Sequence, residues 1–155
     1  MIKNQIIKKI NLIINVVILL SLFIVNLLAS TSNYFEEGKK FFDEKKLEKS
    51  KFLFEKDIVF NPKSENSYLF LAKIYNKEGK KDEEESNLKN VLLINPQNDE
   101  AMYMLTILKI DQSDYKMAKE LIEKFDLICK DFCEKKTEMK NKFDKLNPKD
   151  AKKSN

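Results

Sequence analysis

Ile58-Val59-Phe60-Asn61-Pro62 and Leu92-Leu93-Ile94-Asn95-Pro96 are two stretches of the sequence that end in the same way, with their Asn-Pro pairs 34 residues apart. Residues upstream of each proline match at the same shift: Tyr34 with Tyr68, Gly38 with Ala72, Phe41 with Tyr75 and Phe54 with Leu88. Proline lacks an N–H group and disfavours a helical residue before it, so each pair is expected to end a helix. The sequence therefore predicts a repeated unit of paired helices.

This spacing resembles the tetratricopeptide repeat (TPR), a helix–turn–helix unit of the same length. The first unit has the family's main positions as Tyr34, Gly38, Phe41, Ser50, Phe54 and Pro62, with Glu37 in place of leucine. The second has Tyr68, Leu71, Ala72, Tyr75, Leu88 and Pro96, with Glu84 in place of a small residue. A weaker third unit has Met102, Leu105, Ala118 and Ile122, with Thr106, Lys109 and Lys130 replacing the small residue, the aromatic and the proline. Terminal units often depart from the pattern because one face meets water.

The resemblance implies an all-α fold over residues 34–146, an α–α superhelix of about three helical hairpins and a capping helix. An irregular helical bundle with accidental self-similarity is the alternative. The predicted helices are 33–45, 47–60, 65–78, 82–94, 99–111, 114–129 and 131–146, with Phe132, Met139, Phe143 and Leu146 on the apolar side of the last. Gly79 is expected to stop a helix, and Asp82-x-x-Glu85 and Asp131-x-x-Glu134 are interpreted as capping boxes.

The N-terminal part differs in character from the repeats. Residues 1–9 contain Lys3, Lys8 and Lys9, and the uncharged apolar run 10–28 follows, with a short linker at 29–33. A run of this length predicts a transmembrane helix or the core of a signal peptide. The lysine-only, Asn- and Ile-rich composition suggests a bacterial source. The predicted location is therefore the bacterial inner membrane, single-pass with a periplasmic C-terminal domain, or the periplasm after cleavage. Residues 147–155 are expected to be a disordered tail.

Composition excludes several classes of function. The chain contains no His and no Arg, so it has no imidazole base, no His-ligated metal and no planar guanidinium fork for phosphate. With two glycines it has no phosphate-cradling glycine loop. Residues 34–155 carry 26 Lys against 25 acids, which gives no electrostatic footprint for nucleic acid. The sequence therefore predicts a protein that is not an enzyme and that takes no cofactor, metal or evident small-molecule substrate.

Cys129 and Cys133 are the only cysteines, and they flank the turn that takes the place of Pro62 and Pro96 in the third unit. A disulfide between them is compatible with this spacing. Two free thiols are the second interpretation. A redox or metal pair is the third, although the Cys-x-x-x-Cys spacing and the lack of histidine argue against both chemistries.

The resemblance further implies that the first helix of each unit lines a concave groove. Its groove-facing candidates are Phe35, Lys39, Phe42, Asp43, Leu69, Lys73, Asn76, Lys77, Tyr103, Ile107 and Ile110. Such a mixture suits a protein or peptide partner with an acidic feature, whereas the lysines alone are also compatible with a solvated face. The leading hypothesis is an interaction scaffold of the cell envelope. The alternatives are a membrane component that oligomerises through its N-terminal helix, and a thiol–disulfide enzyme that uses Cys129 and Cys133.

Overall fold

The computed structural model describes residues 13–18 and 33–146, and all regular structure within these ranges is helical. Residues 13–18 belong to one compact unit of the chain and residues 34–146 to another. The second unit contains α1 (Tyr34–Asp43), α2 (Leu47–Phe60), α3 (Glu65–Glu78), α4 (Lys81–Ile94), α5 (Asp99–Asp111), α6 (Tyr115–Ile128) and α7 (Lys135–Leu146). Each helix packs on the next, α1 also contacts α3, and α7 contacts both α5 and α6. The all-α prediction is confirmed for the described residues.

The turns inside the three hairpins share one backbone geometry. Lys45, Gly79 and Ser113 lie 34 residues apart and all adopt the left-handed conformation, with φ values of 59°, 69° and 61°. The next residue in each turn donates its N–H across the helix end: Lys46 to Phe41 O, Lys80 to Tyr75 O and Asp114 to Lys109 O, each at 2.9 Å. This is the Schellman pattern that ends a helix. The repeat is therefore structural, and the predicted stop at Gly79 is confirmed.

Close approach of the two helices explains the small residue in the first unit. A Cβ atom on Gly38 would lie 2.8 Å from the ring of Phe54, which is fully buried. The carbonyl oxygen of Gly38 accepts a hydrogen bond from Ser50 Oγ at 2.8 Å. Glycine at this position thus lets α1 and α2 pack directly on each other.

The buried side chains of the described part form two clusters that meet at α3. Leu71 and Ile74 of α3 pack with Phe54 and the aromatic residues of the first hairpin. Leu69 and Ala72 pack instead with the second and third hairpins and with Met139 and Phe143 of α7. Because α3 is covered on both sides, it joins the first hairpin to the rest of the stack.

Both predicted capping boxes are wrong. Helix α4 begins at Lys81, so Asp82 lies within its first turn, and its N-cap residue makes no side-chain hydrogen bond. The side chain of Glu85 pairs with Lys89 and Lys109 instead of turning back to the helix start. Helix α7 begins at Lys135, after both members of the second predicted box, and the N–H of Asp131 is bound to Asp99.

The predicted location in or beyond a bacterial inner membrane is also wrong. Within residues 13–18 and 33–146, no helix has both the length and the apolar character that crossing a bilayer requires. A span needs about 20 apolar residues, whereas α1–α7 have only 10 to 14 residues each. The predictions for 1–9, for 29–32 and for 147–155 lie outside the described residues, as does most of the predicted span 10–28.

Candidate partner-binding surface

The first helices of the hairpins, α1, α3 and α5, share a continuous surface, here called the inner face. Its α1–α3 part is aromatic. The ring of Phe70 lies edge-on to Phe42 at 5.0 Å between centroids and edge-on to Phe35 at 5.7 Å. Such edge-to-face pairs contribute about 0.5–1.5 kcal/mol beyond the area that they bury. These contacts fix three half-buried rings as one rigid patch.

Ammonium groups lie over this aromatic patch. Lys77 Nζ is 4.6 Å from the centroid of Phe42, and Lys73 Nζ is 4.9 Å from that of Phe70. A cation over a ring face is attracted by the negative charge of the π-system. Because Lys77 is exposed, its charge stays available to a second group from solvent. The inner face thus combines apolar surface with positive charge at its α1–α3 end.

Charges of both signs lie at the other end of the inner face, where Glu138 forms an ion pair with Lys135 at 3.0 Å. Glu100 of α5 forms an ion pair with Lys73 of α3 at 2.8 Å. The hydroxyl of Tyr103 donates a hydrogen bond to Glu138 of α7 at 2.8 Å. Burial and the acceptor Glu138 raise the pKa of Tyr103 to about 12, so its hydroxyl stays protonated at neutral pH. These contacts connect α3, α5 and α7 across the inner face.

The predicted groove residues take several environments. Phe35, Phe42, Lys73, Lys77 and Tyr103 lie within the contact network described above, and Ile107 packs beside it at the edge of the core. Leu69 and Ile110 are buried, at 6% and 1% exposure. Asn76 donates a hydrogen bond to Glu84 of α4 at 2.9 Å. Lys39 and Asp43 are exposed on α1.

Phe70 and Glu100 were missed by the sequence analysis. The residues one repeat length before and after Phe70 are Glu36 and Met104. Because these three side chains differ in chemistry, the repeat pattern did not indicate that this position has a shared role. Glu100 was detectable, because it lies three residues before Tyr103, a predicted groove residue, and so on the same side of α5. Both Asn66 and Glu100 line a cavity of about 410 Å³ with Leu69, the 95–99 turn and Lys130–Phe132.

A disulfide joins Cys129 and Cys133, whose Cα atoms are 5.2 Å apart. Cys129 directly follows the last residue of α6, and Cys133 lies two residues before the first residue of α7. A reactive thiolate is typically stabilised by a helix N-terminus, whereas the C-terminal end of a helix disfavours negative charge. Cys129 therefore lies at the helix end that disfavours a thiolate.

The carboxylate of Asp99, 9% exposed, binds the loop that this disulfide closes. It accepts hydrogen bonds from the backbone N–H groups of Lys130, Asp131 and Phe132 at 2.7, 2.7 and 3.0 Å. Burial raises the pKa of Asp99, but these donors and the N–H of Glu100 outweigh it, so the pKa lies below its usual value. The bound form of Asp99 is thus the charged one.

Within the described residues, no group of three or more His, Cys, Asp or Glu side chains is arranged to hold a metal ion.

Comparison with known proteins supports the fold. The crystal structure of the Sgt2 TPR domain from Aspergillus fumigatus is similar, with a TM-score of 0.58, 21% sequence identity, and coverage of 75% of this chain and 76% of that chain. No family model and no curated protein matches the chain. The structural similarity establishes a TPR-like fold and carries no partner with it.

Proposed function

We propose that this chain is a non-enzymatic interaction scaffold that binds a peptide segment of a partner protein on its inner face. The observation that carries the proposal is the rigid patch of Phe35, Phe42 and Phe70 with Lys73 and Lys77 over its rings. Partner-binding surfaces combine apolar anchoring positions with a small number of charged groups that set specificity. The TPR-like fold presents such a patch on adjacent first helices.

The charges on the inner face favour a partner of defined polarity. Lys73 is already paired with Glu100, whereas Lys77 is exposed and has the ring of Phe42 beneath it. An acidic side chain of the partner next to Lys77, with an apolar side chain on the aromatic patch, satisfies both features. At the other end, Glu138 is already bound by Lys135 and by the hydroxyl of Tyr103, so the charge that favours the partner is that of Lys77. We therefore infer a peptide with an acidic residue beside an apolar anchor.

The test is selection of peptides from a random library against the full chain, followed by affinity measurements on variants. Lys77→Glu is expected to weaken a selected acidic peptide roughly tenfold, which is about 1.4 kcal/mol. Lys119→Glu is the matched control. It makes the same charge change at an exposed residue of α6, which is not one of the helices of the inner face. Equal affinity of the two variants, or selection of peptides without acidic residues, would show that the inner face is not the binding surface.

Phe70→Ala separates the two components of the surface. The ring of Phe70 contacts Phe35, Phe42 and Phe54, so its loss removes the apolar anchor while leaving the charge of Lys77 in place. We expect loss of peptide binding with an unchanged helical circular-dichroism spectrum at low temperature. Retention of full affinity by a folded Phe70→Ala variant is incompatible with the proposal.

A further inference from the structure

The first hairpin carries an apolar patch on the side that faces away from the second hairpin. Six residues surround it: Glu37, Phe41, Glu48, Lys49, Phe52 and Leu53, which enclose an open cavity of about 340 Å³. This set is called the end patch below. Phe52 is its most prominent member, with 62% of its surface exposed.

In the second and third hairpins, the residues that match Phe41 of the end patch contact the preceding hairpin. One repeat length after Phe41 lies Tyr75, whose hydroxyl donates to Glu55 of α2 at 3.2 Å. Two repeat lengths after it lies Lys109, which pairs with Glu85 of α4 at 2.7 Å. The position of Phe41 is therefore the one that contacts the preceding hairpin. Within the described residues no hairpin precedes α1, so this contact surface has no partner there.

The two ends of the stack of described helices differ in the polarity of their exposed residues. At the C-terminal end, Met139 and Phe143 of α7 pack in the core, whereas three polar residues of the same helix are exposed: Asn141, Asp144 and Lys145. A polar outer face of this kind is what keeps a terminal repeat soluble. At the N-terminal end, Phe52 occupies a position that holds Ser86 and Glu120 in the other two hairpins. An exposed aromatic residue is thus specific to the first hairpin and is not required by the repeat itself.

We propose that the end patch is a dimerisation surface and that its occupant is the end patch of a second copy of this chain. A two-fold interface uses the same surface on both subunits, so that surface must be complementary to itself. The end patch offers both a protruding ring, Phe52, and a cavity beside it. Its rim carries both signs of charge: Glu37 and Glu48 are acidic, with Glu48 paired to Lys51 at 3.0 Å, and the ammonium of Lys49 lies 5.6 Å from the centroid of the Phe41 ring. A two-fold arrangement of this surface would allow Lys49 of each copy to pair with Glu37 of the other.

The first test is the mass of the full chain in solution, measured by light scattering over a range of concentrations. Wild type is expected at twice the 18.3 kDa of one chain. Phe52→Ser, which introduces the residue found at the matching position in the second hairpin, is expected to weaken the dimer at least about tenfold. Leu93→Ser is the control, because Leu93 is 81% exposed on α4 and lies outside the end patch. A monomeric wild type, or a Phe52→Ser variant that dimerises as well as Leu93→Ser, overturns the proposal.

The second test distinguishes a second copy from other occupants. Phe52 is replaced by a photoreactive phenylalanine analogue in the full chain, and the cross-linked product is digested and sequenced by mass spectrometry. A dimeric product joined between Phe52 and residues of the end patch supports the proposal. A cross-link from Phe52 to residues 1–32 of the same chain shows that the chain covers its own patch, and overturns it. Because the end patch contains none of the residues changed in the test of the inner face, Lys77, Lys119 and Phe70, either result leaves that test unaffected.

Discussion

Asp99 holds the backbone of Lys130, 31 residues later in the chain, through a hydrogen bond of 2.7 Å from the Lys130 N–H to the Asp99 carboxylate. Lys130 stands where the first two units have Pro62 and Pro96, and proline has no N–H to donate. In the second unit the residue that matches Asp99 is Glu65, which accepts hydrogen bonds from the side-chain amides of Asn95 and Asn98. An acid at the start of the first helix therefore binds the closing loop in both units, by different donors.

Asp99→Ala is expected to lower the free energy of unfolding by about 2–3 kcal/mol, because three backbone N–H groups lose a charged acceptor. The measurement is urea denaturation followed by circular dichroism at pH 7. Asp144→Ala removes an exposed carboxylate from α7 and is expected to change the stability by less than about 0.5 kcal/mol. If the two variants unfold at the same urea concentration, the loop is held by something other than Asp99.

Glu85 provides a second prediction, on the dependence of stability on pH. Its hydrogen bonds to Lys109 and Lys89 lower the pKa of Glu85 to about 2, from an ordinary value of 4.5. A carboxylate whose folded pKa is depressed stabilises the fold above its unfolded pKa and loses that contribution as the pH falls toward the folded pKa. The contribution of Glu85 is thus expected in full above about pH 5 and to decline from there to about pH 2.

Denaturation of wild type and Glu85→Gln across this range measures that contribution. At pH 7 Glu85→Gln is expected to be less stable by about 1–3 kcal/mol, since buried Lys109 loses its charged partner. Toward pH 2.5 the two proteins are expected to converge. Glu83→Gln, an exposed change on the same helix, supplies the reference for a carboxylate without this pairing. A constant difference between wild type and Glu85→Gln over the whole range contradicts the assignment.

The Lys109–Glu85 pair also shows where the sequence analysis was too narrow. Lys109 was noted only as a departure from the aromatic residue of the pattern. Yet it contacts the preceding hairpin at the position that Tyr75 uses, and Glu85 matches Lys51, whose ammonium lies 5.9 Å from the Tyr75 ring centroid. Lys109 and Glu85 thus occupy the repeat positions of Tyr75 and Lys51, while the ion pair between them is seen only in the structure.

Other features were predictable only in part. The Asn-Pro spacing located α2, α3 and α5 at the residues where they occur, because proline and the small residues act locally. The loop before α7 was not predictable in this way, since the N–H of Asp131 binds a side chain 32 residues earlier in the chain. The aromatic patch around Phe70 likewise depends on the packing of α1 against α3. The repeat pattern fixes the helices, and the inner face depends on residues that vary between repeats.

The left-handed turns give a third prediction, in which one substitution has opposite effects at two sites. Ser113 has φ of 61°, a conformation that costs an L-residue about 1–2 kcal/mol relative to glycine. Ser113→Gly is therefore expected to raise the free energy of unfolding by up to about 1 kcal/mol, after the entropy of glycine in the unfolded chain is subtracted. Ser86→Gly, on the exposed side of α4, is expected to lower it by about 0.5 kcal/mol. Thermal unfolding of both variants checks the sign, and destabilisation by Ser113→Gly contradicts the shared turn geometry.

The Cys129–Cys133 disulfide gives the fourth prediction, because its effect is separable from that of Asp99. The bond closes a very short loop, which restricts the unfolded chain by only about 2 kcal/mol in the chain-entropy description. Asp99 still binds Lys130, Asp131 and Phe132 when the bond is absent, so the folded structure should persist. We expect reductant to lower the free energy of unfolding of wild type by about 2 kcal/mol with little change in helical content. The Cys129→Ser/Cys133→Ser double variant should not respond to reductant. Two titratable thiols in protein purified without reductant would show that the cysteines are free in solution.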